Sequence, residues 1–115
     1  WDKVSTDSSM VTGVVLVRRD FAEKNKGAFD AFLGEYQEST VFTNENVEEA
    51  AALVESYGIV PNKAVAARAI PSCNIVYIDG ADMKERVSGY LNVLFEANAE
   101  SVGGALPDED FYYAK

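Results

Sequence analysis

A lone thiol, several pairs of carboxylates and a scatter of hydroxyls are the chemistry this 115-residue chain offers, and it contains no histidine. The commonest general base and the commonest metal ligand are therefore missing together. Cys73 is the single cysteine, so no intrachain disulfide and no thiolate metal cluster can form. It stands just before an apolar run, where a nucleophile could sit. A reactive thiolate there would depend on a helix dipole or a distant lysine, and Cys73 reads instead as a small buried hydrophobe. Carboxylates cluster at Glu48-Glu49, at Asp79 with Asp82, and at Asp108-Glu109-Asp110. Acid–base pairs work only where their surroundings push the two pKa values apart. At helix starts and in a tail, these groups read as caps and solvated charges. The triplet at 108–110 also lacks the spaced oxygens and turn glycine of a calcium loop. Ile78-Asp79-Gly80 offers one glycine behind a carboxylate, which suits an N-cap better than a phosphate cradle. No catalytic set, cofactor or metal is expected, and the residue chemistry points to binding or structure.

The elements that would position these groups follow from periodicity. MVTGVVLVRRDF holds a β-branched run over residues 11–17, consecutive rather than alternating, which predicts a strand covered on both faces. Phe29, Phe32, Leu33 and Tyr36 recur at helical spacing, predicting an amphipathic helix from about Lys26 to near Ser39, with its aromatic stripe in the core. Asn46 with Glu49 three residues on reads as a capping box. Ala50, Leu53, Val54 and Tyr57 form the stripe of the helix it opens, and Gly58 ends that helix. Alanine-rich Lys63–Ala69 predicts a short helix interrupted by Pro71. CNIVYIDG, residues 73–80, is the second strand candidate. Asp79 would cap a last helix striped by Met83, Val87, Tyr90, Leu91 and Leu94, with Gly89 inside it marking a close contact. Four or five helices and two buried-type strands leave the strands without sheet neighbours in this chain. The whole reads as one domain, residues 1–115, cut from a larger protein.

Charge narrows the partners. Ten basic residues against nineteen acidic ones give a net charge of −9, and the longest basic run is Arg18-Arg19. Nucleic acids and anionic membrane surfaces both ask for clustered cations, so neither is an expected partner. No run approaches the roughly 20 apolar residues of a membrane span.

Three segments resemble a known family. MVTGVVLVRRDFAEKNKGAFDAFLGEYQEST, NENVEEAAALVESYGIV and AIPSCNIVYIDGADMKERVSGYLNVLFEANAESVGGALPDEDFYY are similar, in that order, to the C-terminal portion of substrate-binding proteins of bacterial ABC importers. The nearest branch binds nitrate, sulfonates, taurine and thiamine precursors. Lys26, Val47 and Ala99 stand where that branch has proline, a departure at helix starts only. The implied fold is α/β, the helix-rich part of a two-lobed periplasmic-binding-protein-like (type II) architecture with about four or five helices and two strands. The ending SVGGALPDEDFYY would be a structural finish, turning at Gly103-Gly104 and packing Phe111, Tyr112 and Tyr113 back onto the lobe.

The resemblance implies an extracytoplasmic solute-binding component without catalysis, a membrane-anchored lipoprotein in its parent form. Its partners would be a small polar or anionic solute, an ABC permease and the N-terminal remainder of the receptor, with self-association of the piece alone also expected. Ser8, Ser9, Met10 and Thr12, leading into the first strand, and Cys73-Asn74, leading into the second, are the implied ligand contacts. Two other functions fit the residues: an enzyme of thiamine-pyrimidine biosynthesis on the same fold, and a free-standing acidic helical interaction domain.

Overall fold

The computed structural model describes residues 1, 3, 5, 6 and 8–114. The chain forms two units. A middle unit spans Arg18–Tyr77, and a terminal unit draws on both ends, Trp1–Val17 and Ile78–Lys115.

The middle unit is built from helices α1 (Arg19–Lys24), α2 (Lys26–Glu45), α3 (Val47–Ser56) and α4 (Lys63–Ala69), followed by a 3₁₀ turn at Ile70–Ser72. Alanines let α3 and α4 approach closely. Ala50, Ala51, Ala66 and Ile70 are buried together, and Val47, Val54, Val60, Ala67 and Ile75 pack around them. The expected stripe of α3 is thus shifted: Leu53 and Tyr57 face solvent, and Ala51 is fully enclosed. Small side chains on two facing helices make a better seam here than the larger ones. Gly58 has φ +69°, the left-handed conformation that ends the helix as its position foretold. Asn62 caps α4, its side chain accepting the Val65 N–H at 3.2 Å.

α2 runs six residues beyond its expected end at Ser39. Its polar residues there turn onto the helix's own carbonyls. The hydroxyls of Thr40 and Thr43 donate to Gln37 O and Ser39 O, both at 2.8 Å, and the Asn44 amide donates to Thr40 O at 2.8 Å. Asn46 makes no side-chain cap for α3 and instead closes α2, donating to Phe42 O. Phe29 is buried as expected, whereas Phe32 and Tyr36 remain open at the surface.

The terminal unit is organised around α5 (Gly80–Ala97), whose stripe of Met83, Val87, Tyr90, Leu91 and Leu94 is half-buried. A 3₁₀ turn at Ala99–Val102 packs back on it. Gly103 and Gly104, both at φ +83°, then reverse the chain. Lys84 on α5 pairs with Glu109 and lies 5.9 Å above the Tyr112 ring, tying down the final turn at Glu109–Phe111. Tyr112 and Tyr113 are half-buried, and Phe111 is exposed.

The expected α/β, two-stranded, type II architecture is overturned, because the described residues form helices and short 3₁₀ turns and no strand. Residues 11–17 and 74–79 adopt neither helix nor ladder. A strand is a pairwise object, and a continuous apolar run announces burial without supplying the partner. Neither run meets one here.

Candidate functional site

In the terminal unit, α5 presents Gly89, Asn92, Val93 and Glu96 at i, i+3, i+4 and i+7, hence on one face. The N-terminal stretch folds over that face. Trp1 sets its edge against Tyr90, ring centroids 5.3 Å apart, and its indole N–H donates to Ser8 O at 2.9 Å and to Ser8 Oγ at 3.1 Å. The Ser5 N–H donates to Trp1 O at 3.1 Å, and the Ser5 and Ser8 hydroxyls share a hydrogen bond of 2.6 Å. The outcome is a groove of about 370 Å³ lined by Ser5, Ser8, Gly89, Asn92, Val93 and Glu96. Gly89, a costly residue inside a helix, lies in this lining.

Two hydroxyls, a carboxamide and one carboxylate can hold a small molecule by hydrogen bonds. Among the described residues of the lining, Glu96 is the only ionisable group, and it contributes negative charge there. That suits a neutral polar or cationic guest and opposes an anion. A larger groove in the middle unit, about 490 Å³, is lined by Glu48, Lys63, Ala64, Ala67 and Arg68. There Lys63 already pairs with Glu48 at 3.3 Å, the alanines offer a guest no hydrogen bond, and Arg68 is the remaining polar group of the described lining.

Of the six residues anticipated as ligand contacts, the structure brings two to α5. Ser8 lines the groove, and Ser9 accepts from Arg86 Nη1 at 3.4 Å, while Arg86 Nε donates to Asp82 at 2.9 Å. Met10 and Thr12 are exposed further along the same stretch. Cys73 and Asn74 belong to the other unit. Cys73 is exposed rather than buried, because it follows the 3₁₀ turn and contributes its N–H to Ile70 O at 3.1 Å instead of entering a strand. Asn74, at φ +50°, takes the left-handed turn out of it. Sequence reading missed Ser5, Asn92 and Glu96. The signal for Asn92 and Glu96 was the 89-92-93-96 spacing around a helical glycine, and Ser5 carried none.

Among the described residues, no group of three or more histidine, cysteine, aspartate or glutamate side chains could hold a metal, and no helix is long and apolar enough to cross a membrane. No protein-family model matches this chain, and neither a curated protein nor a solved structure does.

Proposed function

We propose that this chain binds rather than reacts, as part of an extracytoplasmic solute-binding component of an ABC importer, and that its own contribution is the groove on α5. The observation carrying the reading is the Ser5–Ser8 hydroxyl pair held by Trp1 above Gly89, Asn92 and Glu96. The segment resemblance to substrate-binding proteins supports the transport setting. Glu96 weighs against the anionic half of the expected ligand range and leaves small neutral or cationic polar solutes.

The test is a titration of isotope-labelled protein with an aminopyrimidine, glycine betaine, taurine and nitrate, each followed by backbone amide shifts. The aminopyrimidine or betaine should move Ser5, Ser8, Asn92 and Glu96 together, and Asn92→Ala should remove the response. Silence at those amides up to about 10 mM of every probe, the scale of the weakest useful affinities, would end the solute reading.

A second reading, an acidic helical interaction module, draws on a different observation: the regular elements among the described residues are all helical, and Val14, Val15 and Leu16 stand exposed outside them. It calls for a protein partner rather than a solute, and the same titration would then leave the groove unmoved.

A further inference from the structure

Between Ser8 and Arg18 the chain runs without helix, turn or bend, and no residue there has a positive φ. Among the described residues, no backbone group of residues 10–17 joins a backbone hydrogen bond. Val14, Val15 and Leu16 are 58%, 41% and 78% exposed, and a side chain added at Gly13 would meet nothing within 4 Å. An apolar patch alone does not say what covers it. Free main-chain donors and acceptors along a straight segment do, because their complement is another straight segment.

The sequence indicates which segment. Turned end for end about Val14, VTGVVLV meets itself with Val11 opposite Val17, Thr12 opposite Leu16, Gly13 opposite Val15, and Val14 opposite Val14. Every facing pair is uncharged, and Val11–Val17, Thr12–Leu16 and Val14–Val14 set β-branched and aliphatic residues against one another, as antiparallel pairs favour. Sliding by two residues sets Gly13 on Gly13 one way and Thr12 on Arg18 the other.

We propose that residues 11–17 are a self-recognition segment, through which two copies of this chain pair antiparallel about Val14. The proposal stands independently of the solute groove. The pair is weak, since a two-stranded ribbon has little stability of its own, and the dissociation constant is on the order of 100 µM. A net charge of −9 on each copy opposes the encounter, so added salt tightens it.

Sedimentation equilibrium from about 10 µM to about 1 mM protein, at roughly 0.05 and 0.5 M salt, should show a monomer–dimer equilibrium that strengthens with salt. Successive N–H groups point to opposite edges, so Val14→Pro with Val15→Pro disarms both and should weaken association at least about tenfold. Val14→Lys and Val14→Glu should each dissociate alone and pair again when mixed, because the dyad sets residue 14 against residue 14. These side chains are exposed outside any helix, so helical circular dichroism should stay unchanged in every variant. A concentration-independent monomer, a dimer indifferent to the prolines, or a Lys–Glu mixture no tighter than its components would overturn the proposal.

Discussion

Every described residue that is buried belongs to the middle unit, whereas the terminal unit, with its 18-residue α5, buries none. Both units carry helices with a clear apolar stripe, so amphipathic spacing does not account for the difference. What separates them is the opposing surface. α3 meets α4 along alanines that permit close approach, and Ile70 and Ile75 close the ends of that seam. Among the described residues of its own unit, α5 packs with a pinned loop, a 3₁₀ turn and the chain's aromatic finish, none of which is a second long helix. A stripe stabilises in proportion to the apolar area it removes from water, about 25 cal/mol per Å², and half-burial yields a correspondingly smaller return.

The strongest way to break this contrast is a pair of truncations. Ile70→Ala, in the seam, should cost about 2–5 kcal/mol, the range for an enclosed aliphatic side chain. Leu91→Ala, on the half-buried face of α5, should cost about 1 kcal/mol, because less area is lost and the site can collapse. Trp1 is the only tryptophan and sits in the terminal unit, so its fluorescence reports that unit, while helical circular dichroism reports both. In urea the fluorescence transition should come first. Coincident transitions, or equal costs for the two truncations, would show that the units share one core energetically.

The contrast also explains what could be read in advance. The helices at Lys63–Ala69 and Gly80–Ala97 and the stop at Gly58 were legible, because propensity, capping and backbone conformation are encoded within a few residues. The strands were misread because residues 11–17 and 75–78 have the same composition but different surroundings. Ile75 packs on the alanine core, its carbonyl accepts from the Asn44 amide at 2.8 Å, and Tyr77 leans on Tyr36 at 6.1 Å. Among the described residues, residues 11–17 join no backbone hydrogen bond, and Val14, Val15 and Leu16 are exposed. Composition stated that both runs seek cover, and only the fold states which one obtained it. For the site, Ser8 and Ser9 were singled out as lead-in to a strand, and the α5 face they meet was hidden in the unremarkable spacing of Asn92 and Glu96.

Turn and cap substitutions sharpen the contrast at lower cost. Gly58→Ala should destabilise the middle unit by about 1–2 kcal/mol, the penalty of a left-handed residue bearing a Cβ. No atom lies within 4 Å to add a clash, so the cost is that of the backbone alone. Asn62→Ala removes the cap on Val65 N–H and should cost about 1 kcal/mol. Both losses should appear in hydrogen exchange of α3 and α4 and leave α5 amides unchanged. Equal deprotection of α5 would again join the two units.

The smallest effect is a pH dependence confined to the terminal unit. Burial pushes the Tyr112 hydroxyl above its usual pKa, Lys84 pulls against that shift, and Glu109 adds to it. A raised phenol pKa means that the folded state holds the proton more tightly than the unfolded one. The contribution of Tyr112 is therefore complete below the ordinary tyrosine value, and it fades as pH climbs through the higher folded value. Loss of the proton would set a phenolate beside Glu109, in the turn that Lys84 ties to α5. An absorbance titration of the tyrosines should show a lagging component that Tyr112→Phe removes. Amide exchange near Glu109 should quicken over the same interval of pH while α3 and α4 remain protected. If α3 and α4 loosened in step, the tail's titration would be felt beyond its own unit, and the independence of the two units would fail.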